Sequence, residues 1–160
     1  QTLTPERFIQ TFKPSALLIN ELYGLPWKAI LAQAALETGW LRNPVTDVTT
    51  GRQSFNLFNI KGEGPAGSVL AYDLEYINGR AVKKLQKFRA YNNYEESFED
   101  YARLITESPR YKAALQKAYD PELYVREMQR SGYAGDPRYA EKLIQIMRKY
   151  LKDETSVVIE

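Results

Sequence analysis

Twenty carboxylates and no histidine or cysteine decide what chemistry this chain can do. Nucleophilic schemes built on Cys–His or Ser–His pairs are ruled out, and a metal site would have to be made from carboxylates alone. Acid–base work therefore falls to Asp, Glu, Tyr and Lys. Glu37 stands apart from the other carboxylates. It lies near the end of the run PWKAILAQAALETGW, residues 26–40, in which Trp27, Ile30, Leu31 and Ala34 recur at i, i+3, i+4 and i+7. Ala29, Ala32, Ala35 and Leu36 make the rest of the circumference small or apolar, so the spacing predicts a buried helix. Glu37 lies about 20° around that helix from Ile30, at the edge of the apolar stripe and near a C-terminal end marked by Gly39. Apolar surroundings and the negative end of the helix dipole both disfavour its charge, so its pKa should be raised. A carboxylic acid still protonated near neutral pH is what a general acid for glycoside cleavage requires. The competing reading is a structural Glu held by a cation such as Arg42.

Two more carboxylates fall on a hairpin. Asn78-Gly79 reads as a type I′ turn between Leu74–Ile77 and Ala81-Val82. A two-residue loop pairs Ile77 with Arg80, Glu75 with Val82 and Asp73 with Lys84, which puts Asp73 and Glu75 on one face of the ribbon. Asp73 then has a cross-strand lysine, whereas Glu75 faces a valine and has basic neighbours only on the diagonals, so Glu75 is the better placed for chemistry. Between Arg42 and Ser68 the periodicity lapses for about 25 residues, a loop long enough to be functional. Its middle, SFNLFNIKG, is aromatic and amide-rich, which suits a packed segment lining a cleft. There Asn56 and Asn59 can donate to sugar hydroxyls or acyl groups while Phe55 or Phe58 stacks on a pyranose face; the alternative is a turn with two buried aromatics.

The elements that must position these groups are mostly helices. Thr4-Pro5-Glu6 is an N-cap with proline at the first helical position, and Phe8 and Phe12 share a face before Pro14, which is expected to restart the helix. Gly24 closes that segment and Pro26 opens the Glu37 helix. After the hairpin, Asn93 and Glu96 form a capping-box pattern ahead of the stripe Tyr94, Phe98, Tyr101, Ile105. Ser108-Pro109 and Asp120-Pro121 start two short helices. Tyr133–Pro137 makes a tight loop before a last helix packed through Ala140, Leu143, Ile144, Met147 and Leu151. The order helices, loop, hairpin, helices predicts a mostly helical α+β domain with a small β lobe over a cleft. With 160 residues and 44% hydrophobic content there is room for one core, and a net charge of +2 without a clustered basic stripe argues against a nucleic-acid partner. A pI near 8.7 suits an anionic polymer such as a cell wall. No apolar run approaches the roughly 20 residues of a membrane span.

Taken together, ILAQAALETGW, SFNLFNIKG, LEYINGRAVKKLQKFRAY, SPRYKAAL and SGYAGDPRYAEKL resemble glycoside hydrolase family 73, the peptidoglycan β-N-acetylglucosaminidases. The resemblance runs from the first helix to about Leu151. It implies a lysozyme-like fold, an α lobe and a β lobe flanking the groove that takes the glycan. By this resemblance Glu37 matches the general acid, Glu75 the second carboxylate, and Tyr133 the aromatic hydroxyl of a GYA-x-DP loop. Asn56, Phe58 and Lys61 fall on an N-x-F-x-x-K motif lining the cleft, and Tyr139 is a further substrate-binding position. Residues 1–152 would form the hydrolase domain, with the β lobe at about 68–91 and a flexible tail at 153–160. The implied substrate is peptidoglycan, cut at the β-1,4 bond on the reducing side of N-acetylglucosamine. A monomer without cofactor or metal is expected, secreted to the cell wall or periplasm, although a chain that starts at Gln1 as a mature form or excised domain shows no export signal. Water activated by Glu75, or the substrate's own acetamido group assisted by Tyr133, would complete the displacement. A muramidase or lytic transglycosylase, and a non-catalytic glycan-binding module, are the rival readings. Two departures from the family pattern are the long segment NPVTDVTTGRQ and the sequence AYDLEY in place of a Thr-rich stretch, which makes Asp73 a competitor for the role of Glu75.

Overall fold

The apolar stripe around Glu37 becomes the centre of the molecule. A computed structural model describes residues 3–152, so the expected tail at 153–160 lies outside the described residues. Helix α1 (Pro5–Tyr23) and α2 (Trp27–Thr38) are followed by the long loop, the hairpin β1 (Ser68–Ile77) and β2 (Arg80–Arg89), and then α3 (Tyr94–Glu107), α4 (Lys112–Gln116), α5 (Pro121–Arg130) and α6 (Tyr139–Tyr150). Helix α2 packs against α1, α5 and α6. Ala29–Ala35 are all buried, as the small and apolar circumference demands. The expectation of a break at Pro14 is not met, since α1 runs through it. Pro14 and Gln10 both lie on the exposed side, so the Gln10 carbonyl that loses its N–H partner can be hydrated instead.

The hairpin has the anticipated register, with Ile77 opposite Arg80, Glu75 opposite Val82 and Asp73 opposite Lys84. Asn78 and Gly79 both adopt positive φ, as a type I′ turn requires. Only its base is buried, where Val69, Phe88 and Ala90 form a cluster separate from the main core. Farther out, Tyr72, Leu74, Val82 and Leu85 are exposed, so the ribbon stands off the helices as a small lobe. Its base is tied down from both sides. Arg89 donates to Asp100 of α3 at 2.9 Å and to the Lys61 carbonyl at 3.0 Å. On the other edge, the long segment NPVTDVTTGRQ folds back on itself through a Thr46–Gln53 bridge and clips onto β1: Val48 N–H donates to Leu70 O at 2.7 Å, and Leu70 N–H donates to the Asp47 carboxylate at 3.1 Å. Backbone N–H groups of Thr50, Leu70 and Thr49 hold the Asp47 carboxyl down to about 2. Among the described residues, no helix is long and apolar enough to cross a membrane.

Candidate active site

Helix α2 ends one residue after Glu37, at Thr38, and is followed by a run of three left-handed residues, Gly39, Trp40 and Leu41. Only the first is glycine. The other two hold an unfavourable conformation that costs about 1–2 kcal/mol per residue, and the surroundings repay it. Gly39 and Trp40 N–H groups cap the carbonyls of Ala35 and Leu36, the Thr38 hydroxyl accepts from Leu41 N–H at 3.0 Å, and the Trp40 ring packs edge-on against Phe8 and Tyr150. The chain thus leaves α2 sharply, and the Glu37 side chain is left on the floor of a cleft between the helices and the hairpin.

Two lobes of that cleft meet at Glu37. One, of about 560 Å³, is walled by Asn43–Thr46, Val48, Ala71 and Asp73; the other, of about 490 Å³, is walled by Asn59, Lys61, Asp73, Glu75, Tyr133 and Tyr139. Each has the size of a small-ligand site. The carboxyl of Glu37 is held by neutral donors rather than by Arg42: the Asn59 side-chain amide donates to one oxygen at 2.7 Å and the Tyr139 hydroxyl to the other at 2.8 Å. The same Asn59 amide nitrogen donates to the Glu37 main-chain carbonyl at 3.2 Å. Asn59 sits at φ 53°, a region that asparagine tolerates better than most residues, and its own Oδ1 is buried without a partner. Burial pushes the Glu37 carboxyl up to about 7, the negative charge of Asp73 adding to that rise. The donors Tyr139 and Asn59, and then the charge of Lys61, pull in the opposite direction.

Behind Tyr139 the hydrogen bonds continue inward. Gln33 Nε2 donates to the Tyr139 hydroxyl at 2.8 Å, Tyr101 donates to Gln33 Oε1, and the Tyr101 and Tyr124 hydroxyls lie 2.7 Å apart. Gln33, Tyr101 and Tyr124 are fully buried. Burial keeps the phenols of Tyr101, Tyr133 and Tyr139 well above their ordinary range, so all three are neutral donors.

The residues singled out from sequence divide into two groups. Glu37, Asp73, Glu75, Lys61, Tyr133 and Tyr139 all line the cleft. Asp73 pairs with Lys61 at 3.4 Å rather than with its cross-strand Lys84, which turns to Glu75 along the diagonal at 3.6 Å; Gln86 donates to the other Glu75 oxygen at 3.0 Å. Tyr133 reaches across to the Phe58 carbonyl at 2.7 Å. The expectation that Asn56 and Phe58 touch the glycan with their side chains needs correction. Asn56 is buried, its amide donating to the carbonyls of Ile60 and Arg89 and its oxygen accepting from the N–H groups of Phe58 and Ile60, so it organises the loop. Phe58 is fully buried and stacks on Tyr101 with ring centroids 4.4 Å apart. Both fix the wall from behind, and a buried aromatic has no free face for a sugar. Phe55, half-buried, packs edge-on against Tyr94. Sequence reasoning missed Gln33. Its signal was a polar side chain in an otherwise apolar helix, four residues before Glu37 and so on the same side.

Comparison with known proteins agrees with this fold. Residues 13–152 match the family model described as glucosaminidase, mannosyl-glycoprotein endo-β-N-acetylglucosaminidase. A peptidoglycan hydrolase FlgJ of Vibrio parahaemolyticus is 40% identical over 148 residues, 91% of this chain and 47% of that protein. The chain thus spans about half the length of that curated relative. Among solved structures, a peptidoglycan hydrolase mutant from Sphingomonas sp. A1 superposes with a TM-score of 0.79 at 39% identity, covering 90% of this chain and 93% of that one. A truncated glycoside hydrolase domain of Salmonella typhimurium FlgJ superposes at 0.70 and 37% identity, covering 91% and 97%. The lysozyme-like, mostly helical α+β fold with a β-hairpin lobe, and a family match over nearly the whole described chain, make this protein a member of the glucosaminidase family of glycoside hydrolases.

Proposed function

We propose that this chain hydrolyses the β-1,4 bond on the reducing side of N-acetylglucosamine in peptidoglycan, with Glu37 as general acid. The observation that carries the reading is the state of Glu37: a carboxyl at the meeting point of two cleft lobes, raised to about 7 by burial and held by two neutral donors. Such a group is still substantially protonated at neutral pH and can give its proton to a leaving oxygen. The peptidoglycan substrate is supported by the names of the FlgJ and Sphingomonas relatives. Work on the cell wall or in the periplasm follows from that substrate.

Glu75 is the proposed second carboxylate. It opens onto the same cleft lobe as Glu37 and Tyr133, and its contacts with Lys84 and Gln86 come from the hairpin itself. Asp73 stands close enough for its charge to raise the Glu37 pKa, and its proposed part is to tune that acid rather than to activate water. Lys61 balances it at 3.4 Å. Tyr133 braces the loop wall through the Phe58 carbonyl and presents its ring to the cleft.

Digestion of purified peptidoglycan, borohydride reduction and mass analysis of the fragments test the whole reading. New N-acetylglucosaminitol ends are expected with the wild type, and none with Glu37→Gln. Muramitol ends would make the chain a muramidase, 1,6-anhydro products a lytic transglycosylase, and binding without cleavage a glycan-binding module.

A further inference from the structure

Gln33 is a polar side chain buried in an otherwise apolar stretch of α2. It is fully buried, and both ends of its amide are occupied. Its oxygen accepts the Tyr101 hydrogen, which leaves the Tyr101 oxygen to accept from Tyr124. That fixes the amide with its nitrogen toward Tyr139. A tyrosine hydroxyl has one hydrogen, and with Gln33 donating to its oxygen the Tyr139 hydrogen is directed at Glu37 Oε2. The line of donors therefore runs one way, from Tyr124 through Tyr101, Gln33 and Tyr139 to the carboxyl. Chains of this kind polarise each successive bond in the same sense.

We propose that Gln33 is a positioning residue for the acid: acting through Tyr139, it locks the hydroxyl as a donor to Glu37 and so stabilises the carboxylate left behind when the proton has gone to the leaving oxygen. The proposal rests on the assignment of Glu37 as general acid. Its physical content is a balance. Burial alone opposes leaving a charge on the cleft floor, and an acid that cannot bear its own conjugate base is a poor donor. Asn59 serves one oxygen from the loop, and the buried line behind Gln33 serves the other from the core. No proton travels along the line; only the direction of its hydrogen bonds matters.

The groups facing Glu37 are Tyr139 from α6, Asn59 and Lys61 from the long loop, Asp73 from β1 and Tyr133 from the loop before α6, with Glu75, Asp136 and Lys142 farther along one lobe of the cleft and Lys83 along the other. None changes charge when Gln33 is replaced by a neutral side chain. The test uses Gln33→Met, which keeps the length and loses both hydrogen bonds, and Tyr101→Phe, which keeps the amide and loses the bond that orients it. The readouts are the pH dependence of kcat/KM on peptidoglycan and the midpoint of the Glu37 carboxyl in a ¹³C NMR titration, assigned by its absence in Glu37→Gln. With its hydrogen released, Tyr139 can accept from a protonated Glu37, so the midpoint and the alkaline limb of activity should both rise, by about one unit in Gln33→Met and by less in Tyr101→Phe. kcat should fall while KM holds. An unmoved carboxyl midpoint in both variants overturns the proposal, as does a loss of activity equal at every pH. If Gln33→Met does not fold, Tyr101→Phe carries the test alone. Should Glu37→Gln retain activity, the catalytic assignment falls, while the NMR midpoint still decides whether Gln33 acts on Glu37.

Discussion

Replacing Glu37 by Gln should make the folded protein more stable at pH 8 and leave its stability unchanged at pH 4. Burial pushes the folded carboxyl up to about 7 from an ordinary value of 4.5. Because the folded pKa is the higher one, the native state binds the proton more strongly than the unfolded chain across the window between those two values. Stability therefore falls as pH rises through that window and carries the full penalty above it. Below it, both states are protonated and the penalty vanishes. A rise of this size corresponds to about 3 kcal/mol, and water entering from the cleft screens part of it, leaving about 2 kcal/mol. Glutamine keeps the shape and has no charge to bury. It also suits its surroundings, since Asn59 can turn its unpartnered oxygen toward the new amide nitrogen while Tyr139 donates to the amide oxygen. Urea denaturation of wild type and variant at pH 4 and pH 8 reads the difference directly, and titrations elsewhere cancel. For a domain of this size the pH 8 gap corresponds to a Tm about 4–8 °C higher in the variant. A stability difference that is the same at both pH values would show that Glu37 is not strained by its charge, and the argument for a raised pKa would fail with it.

Three other outcomes follow from the same contacts. Asp73→Asn should move the alkaline limb of activity to lower pH and Lys61→Met should move it higher, because the first removes a charge that raises the Glu37 pKa and the second one that lowers it; a pH profile of each variant checks the opposite signs, and complete inactivity of Asp73→Asn would make it the second carboxylate instead. Glu75→Gln should cost about a hundred- to ten-thousandfold in turnover if it activates water, with an α-anomeric first product by NMR; a β-anomer at early times would instead mark the acetamido group as nucleophile. Gly64→Ala should destabilise the fold by about 2 kcal/mol or more in denaturant melts, since a Cβ there would stand 2.4 Å from the Ala90 carbonyl oxygen, backbone against backbone at the base of the hairpin.

What could be read from sequence was whatever local periodicity and turn chemistry dictate. The α2 stripe, the Gly39 cap and the Asn78-Gly79 register all depend on residues within a few positions of one another, and each matches the structure. What could not be read depends on which side of the chain faces which neighbour at long range. Asn56 and Asn59 are three residues apart in one amide-rich loop, and sequence made both candidates for the glycan. One is consumed by the carbonyls of Ile60 and Arg89, the other reaches 22 positions back to Glu37, and only the folded loop tells them apart. Phe55 and Phe58, the two candidates for stacking on a sugar, are instead both taken up by packing against α3, the first against Tyr94 and the second against Tyr101. Tyr139 was placed at the cleft by resemblance, but its contact with Glu37 spans 102 positions and has no local signature.

The proposed role of Glu37 as general acid also accounts for the absence, among the described residues, of a cation bound directly to its carboxyl, because a cation there would be the wrong partner. A bidentate arginine would satisfy a buried carboxylate well and would hold its pKa below the ordinary range, as Arg148 does for Glu122 on the surface. Such a group is charged at neutral pH and has no proton to give. Neutral donors act more weakly, so burial still wins and the carboxyl stays near 7, while the charge that appears after proton transfer meets two hydrogen bonds already aimed at it. The fold supplies those donors from opposite sides: Asn59 from a loop residue at positive φ, and Tyr139 from the first turn of α6, backed by a glutamine on the same helix as the acid. Because Gln33 and Glu37 lie one turn apart on α2, any shift of that helix carries both together, and the distance between the acid and the line of donors behind it is kept by the helix itself.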